Sequence, residues 1–175
     1  MSLSHSISKR RINLFGFIIC ASLIGAALYL QEAGHEPCPL CILQRVAFIS
    51  MGVIFLIAGL HNPTGRIGGR IYGLLIAIAG TVGAIIAGRH VWLQHLPADQ
   101  VPECGPGLEY MMEVFPLADV VQKVFKGSGE CAEVSWTFLG LSIPGWAFVL
   151  FVILTLVGLL RNWAYRERSN AYSIL

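Results

Sequence analysis

Four long apolar runs decide what this chain can fold into. They are Ile12–Leu30, Leu40–Leu60, Ile71–Gly88 and Pro144–Leu160, with 19, 21, 18 and 17 residues. A helix rises about 1.5 Å per residue, so roughly 20 residues cross a hydrocarbon core about 30 Å thick. Lipid offers no partner to an open strand edge, so each run is expected to be helical. Only 13% of the 175 residues are charged, against about 25% in an ordinary soluble domain. The expected fold is therefore an all-α membrane protein, a four-transmembrane-helix bundle forming a single integral membrane domain over residues 1–175. "KRR" precedes the first run, as in a signal peptide, but that run is longer than a signal core and lacks a clear small-x-small cleavage site. It reads as a retained first span.

Basic residues orient the bundle. Lys9, Arg10, Arg11, Arg66, Arg70, Arg161, Arg166 and Arg168 fall on one side. The opposite side, residues 31–39 and 89–143, carries only Arg89, Lys123 and Lys126, and nine of the ten acidic residues. Both termini are expected to be cytoplasmic and both of those connections extracytoplasmic. The net charge of +2 is too small to imply nucleic acid, the basic residues are scattered along one face, and no nucleic-acid partner is expected.

Four of the five cysteines, Cys38, Cys41, Cys104 and Cys131, fall on the extracytoplasmic side, where disulfides persist. Cys20, inside the first span, reads as a small packing residue. Four cysteines allow three pairings that sequence does not separate, although proximity favours Cys38–Cys41 and leaves Cys104–Cys131. A zinc site is the weaker reading. Its usual form joins two close Cys-x-x-Cys or Cys/His pairs, and Cys104 and Cys131 stand 27 positions apart. His90 and His95 read as interfacial or packing residues, and no metal is expected.

The pair in "EPCPLCILQRVAF" has the marks of a reactive site. Cys41 lies in the first turn of the second span, where unpaired N–H groups and the positive end of the helix dipole favour a thiolate. Arg45 follows at i+4 on the same face, either beside that thiolate or holding an oxygen of an acceptor. A buried arginine one turn inside a span is costly unless it snorkels or finds a partner. Gln44 adds a hydrogen-bonding group, or else faces a neighbouring helix.

Residues 89–143 form one long connection. "RHVWLQHLPADQVPECGPG" is rich in proline and glycine around Cys104 and reads as irregular chain that a partner protein can reach. Leu117, Val120, Val121 and Val124 then recur at i, i+3, i+4, i+7, with Pro116 as a helix start. A short helix is expected there, lying in the membrane interface or packed on the bundle, and bringing Cys131 back towards the other cysteines. Trp136, Phe138 and Trp146 fit an aromatic belt where the last span enters the bilayer.

With "PCPLCILQR", the cysteines at 104 and 131, "SGECAEVSWTFLGLSIPGW" and four spans with basic tails, the chain resembles the bacterial disulfide bond formation protein B family from about residue 12 to 163. The resemblance implies a membrane thiol oxidoreductase of the bacterial inner membrane. It would reoxidise a periplasmic thioredoxin-fold dithiol oxidase and pass two electrons to a membrane quinone, ubiquinone or menaquinone. By the same resemblance Cys104–Cys131 is the pair the partner attacks, with Cys104 taking the mixed disulfide. Cys38–Cys41 sits beside the quinone with Cys41 facing the ring, and Arg45 belongs to the quinone site. Arg89 falls where that family also has an arginine. His95 and Gln44 complete the candidate quinone-side residues, although His95 aligns poorly. Two other readings compete: a quinone reductase of the vitamin K epoxide reductase type, in which the Cys-x-x-Cys sits nearer the end of the bundle, and a non-enzymatic membrane scaffold with two structural disulfides.

Overall fold

The computed structural model describes residues 9–34, 37–63, 65–97, 99–101, 110, 113–116, 119–120, 124, 127, 129–134 and 136–163. The four apolar runs are helices, α1 (Lys9–Glu32), α2 (Pro39–His61), α3 (Arg66–Leu93) and α5 (Ile143–Trp163). Each is long and apolar enough to cross a membrane, with mean hydropathy between 2.0 and 2.4 over its best stretch. Each also extends beyond its apolar run into polar residues. The short α4 (Gly129–Ala132) and a two-stranded hairpin, β1 (Thr137–Phe138) and β2 (Leu141–Ser142), lie between α3 and α5. Phe15, Ile18, Ile49, Ile57, Ile71, Ile78 and Leu160 point outward and are exposed. Such a girdle is untenable in water and is what lipid requires.

The helices run up and down in sequence, and neighbours in the chain pack side by side. The α3–α5 contact is the most extensive, whereas α1 meets α5 only narrowly. Small residues set the α3–α5 spacing. A Cβ at Gly80 would collide with Thr155, and one at Gly83 would collide with the ring of Phe151. Without a hydrophobic force between helices in lipid, such close approach supplies the packing that holds a bundle together. Around it Phe48 and Phe151 stack with centroids 3.8 Å apart and planes 14° apart. Met51, Phe55, Ile76 and Leu154 complete a buried core.

A polar clasp closes the narrow α1–α5 seam at the basic end. Asn13 Nδ2 donates to Asn162 Oδ1 at 3.2 Å, and Asn162 Nδ2 donates to Asn13 Oδ1 at 2.9 Å and to the Gly158 carbonyl at 2.8 Å. Both side chains are buried. Replacing Asn162 with leucine strands the Asn13 amide among apolar neighbours and should lower bundle stability by about 1 kcal/mol, within the range for interhelical hydrogen bonds in membranes. The double change Asn13→Leu/Asn162→Leu should cost less than the sum of the single changes in a denaturation cycle. Additive losses would show that the two amides do not act together.

At the other end of the bundle, a second buried cluster unites Cys38, Leu40, Ile86, Leu93, Val120, Val124 and Cys131. Asp119 and Val120 each donate a backbone bond to the Pro116 carbonyl, at the start of the expected helix. The described part of its apolar face, Val120 and Val124, packs on the bundle. Leu117 and Val121 lie outside the described residues. The hairpin was not expected. It pairs Thr137 with Ser142 and Phe138 with Leu141, through a turn whose Leu139 and Gly140 have φ of 52° and 80°. Two successive positive φ values suit the twist of a two-residue hairpin, but leucine there gives no turn signal in sequence. Trp146 Nε1 donates to the Phe138 carbonyl at 3.0 Å and ties the hairpin to the start of α5.

Candidate active site

The start of α2 is built by its cysteines. Cys38 is the N-cap, in an extended conformation, and its sulfur accepts a bond from the Cys41 N–H at 3.4 Å. Pro39 follows as the first helical residue, where its missing N–H costs nothing. The cap brings Cys38 Sγ to 3.0 Å from Cys41 Sγ. Burial of Cys131 in α4, against the α3 end, delivers the third sulfur. Cys38 Sγ, Cys131 Sγ and a ring nitrogen of His90 all lie within 4.8 Å of one another. The Cys38 thiol is pushed far above the ordinary thiol range, first by hydrogen bonding to Cys131, then by Cys41 and by burial.

His90 was not singled out from the sequence as a member of this site. It lies on α3 and is 3% exposed, with Nε2 3.8 Å from Cys38 Sγ. Gln44 Nε2 meets His90 Nδ1 at 3.0 Å. With the amide donating, Nδ1 is the acceptor, and the imidazole carries its proton on Nε2, aimed at the sulfurs. Gln44 thus faces the neighbouring helix and orients an imidazole there. The available signal was the spacing of Ile86, His90 and Leu93, which puts the histidine on the buried face of α3.

A cleft of about 460 Å3 opens beside this cluster, where α1 and α5 part. Its walls are Leu23, Ala27 and Leu30 from α1, Cys41, Gln44, Arg45 and Phe48 from α2, and Ala147 and Leu150 from α5, with Trp136 and Trp146 at the hairpin side. Arg45 reaches α1, where it donates to Gln31 Oε1 and, from Nη2, to the Ala27 carbonyl at 3.1 Å. These partners answer the cost of an arginine inside a span, and its hydrogen bonds run to α1 rather than to Cys41.

The structure therefore brings Cys38, Cys41, Cys131, Gln44 and Arg45 together. Arg89 and His95 do not line the cleft. The Arg89 guanidinium lies 4.5 Å from the Trp92 ring centroid, and His95 Nδ1 bonds the Val91 carbonyl at 2.8 Å on an exposed surface. Cys104 lies outside the described residues. Cys20 is buried in the central core, apart from this cluster.

The sequence matches the family profile of Disulfide bond formation protein DsbB over residues 9–161. The chain belongs to this family. It is 51% identical over 160 residues to a disulfide bond formation protein B of Marinobacter nauticus, covering 88% of this chain and 95% of that protein. A relative of the same name from Nitrosococcus oceani is 52% identical over 154 residues, covering 87% and 90% of the two chains. Another, from Acinetobacter baumannii, is 52% identical over 145 residues, covering 81% and 85%. Membership of the DsbB family makes the chain a membrane disulfide oxidoreductase, and sets aside both the vitamin K epoxide reductase type and the inert scaffold. Sulfurs within exchange distance at one end of a bundle are the geometry such an enzyme needs.

Proposed function

We propose that this protein reoxidises a periplasmic thioredoxin-fold dithiol oxidase and passes the two electrons to a membrane quinone, ubiquinone or menaquinone, with both termini in the cytoplasm. One observation carries the reading: Cys41 stands with one side towards the Cys38 sulfur, 3.0 Å away, and the other towards an apolar cleft between helices. A flat lipid-soluble ring fits that cleft, because its walls are aliphatic and aromatic while Arg45 and Gln44 place donors within it. Such a ring supplies a sink for two electrons and two protons, becoming the quinol.

The chain's own residues perform the exchanges. In the resting oxidised form Cys38 is bonded to Cys41, and Cys104 to Cys131. A partner thiolate attacks Cys104 and Cys131 leaves as a thiolate. Cys131 Sγ lies beside Cys38 Sγ, so Cys38 is the sulfur it attacks, and Cys41 leaves at the wall of the cleft. The second partner thiolate then releases Cys104, and the partner departs oxidised. Cys104 attacks Cys131, which re-forms that pair, frees Cys38 and leaves the two electrons on the Cys38/Cys41 dithiol at the wall of the cleft. His90 Nε2–H, held by Gln44, donates to the sulfurs as charge moves between them. A leaving thiolate stabilised in this way exchanges faster.

The test is partner oxidation by detergent-purified protein with added quinone. Cys104→Ser should stop oxidation of the partner while the Cys38–Cys41 pair still exchanges electrons with quinol. Partner oxidation at the normal rate would remove Cys104 as the entry point. Arg45→Ala should raise the quinone KM by about tenfold, the value of one charge-assisted hydrogen bond of about 1.5 kcal/mol. An unchanged KM would confine Arg45 to tying α2 to α1.

A further inference from the structure

The relay sulfurs and His90 form a donor set of a second kind. Among the described residues, Cys38, His90 and Cys131 are all buried and present one ligand atom each within 4.8 Å of the others. Cys41 Sγ, 3.0 Å from Cys38 Sγ, stands next to this trio and can supply a fourth donor. In a tetrahedral zinc site with metal–sulfur bonds of about 2.3 Å and metal–nitrogen bonds of about 2.0 Å, ligand atoms stand roughly 3.4–3.8 Å apart. The Cys38–His90 separation of 3.8 Å already has that value. Three cysteines and one histidine are also a common ligand set of closed zinc sites. A sequence search for two close pairs misses the set, because its members come from α2, α3 and α4.

The geometry points to a thiophilic divalent cation site, suited to Zn2+, that exists only when Cys38, Cys41 and Cys131 are all reduced. Binding is a ligand substitution without electron transfer. The three thiols release their protons to solvent, three thiolates and the neutral imidazole Nε2 take the cation, and His90 moves its proton to Nδ1. Gln44 is suited to that change, since turning its amide offers the carbonyl oxygen as acceptor for Nδ1–H, the outer-shell contact that metal-bound histidines make. The cation reaches the cluster past Cys41, the partly exposed member at the wall of the cleft. A metal held by all three sulfurs leaves none able to attack or leave, so bound cation arrests the relay. The inference rests on the proposed relay only for the state in which two partner molecules have delivered four electrons before any reach the acceptor, so that both cysteine pairs are reduced.

The experiment is a titration of the detergent-purified full chain with Cd2+, followed by the ultraviolet cadmium–thiolate band, and then with Zn2+ in competition. Fully reduced protein, freed of excess reductant under anaerobic conditions, should bind one cation per chain, with protons released. Protein oxidised beforehand should bind none at this site. His90→Ala and Cys131→Ser should each weaken binding at least tenfold, about the least that loss of even an outer-shell group costs. Cys20→Ser should bind as the unaltered chain does. Equal binding by oxidised and reduced protein, affinity indifferent to His90→Ala and Cys131→Ser, or a stoichiometry that falls with Cys20→Ser would each overturn the assignment. Neither partner nor quinone enters this measurement. Protein that turns over normally yet binds no cation overturns only the metal site, and protein that binds cation yet never reduces quinone overturns the relay.

Discussion

Cys41→Ser is expected to abolish quinone reduction, lowering the rate by at least about a thousandfold, as when a nucleophile is removed from an enzyme. Serine keeps the size and the helix turn, so α2 should still start at Pro39. Its hydroxyl neither pairs with Cys38 nor stands as an anion at neutral pH, so no electron pair reaches the cleft. The remaining sulfurs give the loss a signature. Cys38 is left with Cys131 as its nearest partner, and peptide mapping without reductant should find those two residues linked. Quinol formation at more than a few per cent of the normal rate would mean that another sulfur faces the acceptor. Finding Cys38 unlinked would remove Cys131 from the exchange path.

The second large effect is on the bundle. Phe151→Ala removes the ring that stacks on Phe48 and fills the space beside Gly83. In a water-soluble core the cost is about 3–5 kcal/mol. In lipid the apolar transfer term largely vanishes and the lost dispersion contacts remain, so about 2–3 kcal/mol is expected. Because Phe48 also lines the cleft, quinone affinity should fall with stability. Denaturation in mixed micelles, with the quinone KM measured on the same samples, checks both. A stable variant with an altered KM would show that the stack serves the cleft alone.

The spans were legible because a bilayer leaves an apolar run of this length no choice but helix. Cys38, Cys41, Gln44 and Arg45 were legible as a group because one helix carries them at i, i+3, i+6 and i+7. His90 needed the packing of α3 on α2: the spacing of Ile86, His90 and Leu93 marks a buried face just past the apolar run, but not what lies against it. Arg89 and His95 entered the quinone-side set through resemblance; they belong to α3 and the chain just after it, whereas the cleft's walls come from α1, α2, α5 and the hairpin side. The hairpin stayed hidden because Leu139 takes a backbone conformation that asparagine or glycine usually announces. The seam clasped by Asn13 and Asn162 was hidden for another reason. Each asparagine sits at the end of its own run, 149 positions from the other, and reads alone as a helix terminus.

Cys38 is at once the cap of a helix and a sulfur that trades partners. Its sulfur caps the Cys41 amide from the same place in which it lies beside Cys131 of α4. The opening coil of α2 therefore stays tied while the sulfur changes hands, and Cys41 is kept at its post for the step that follows.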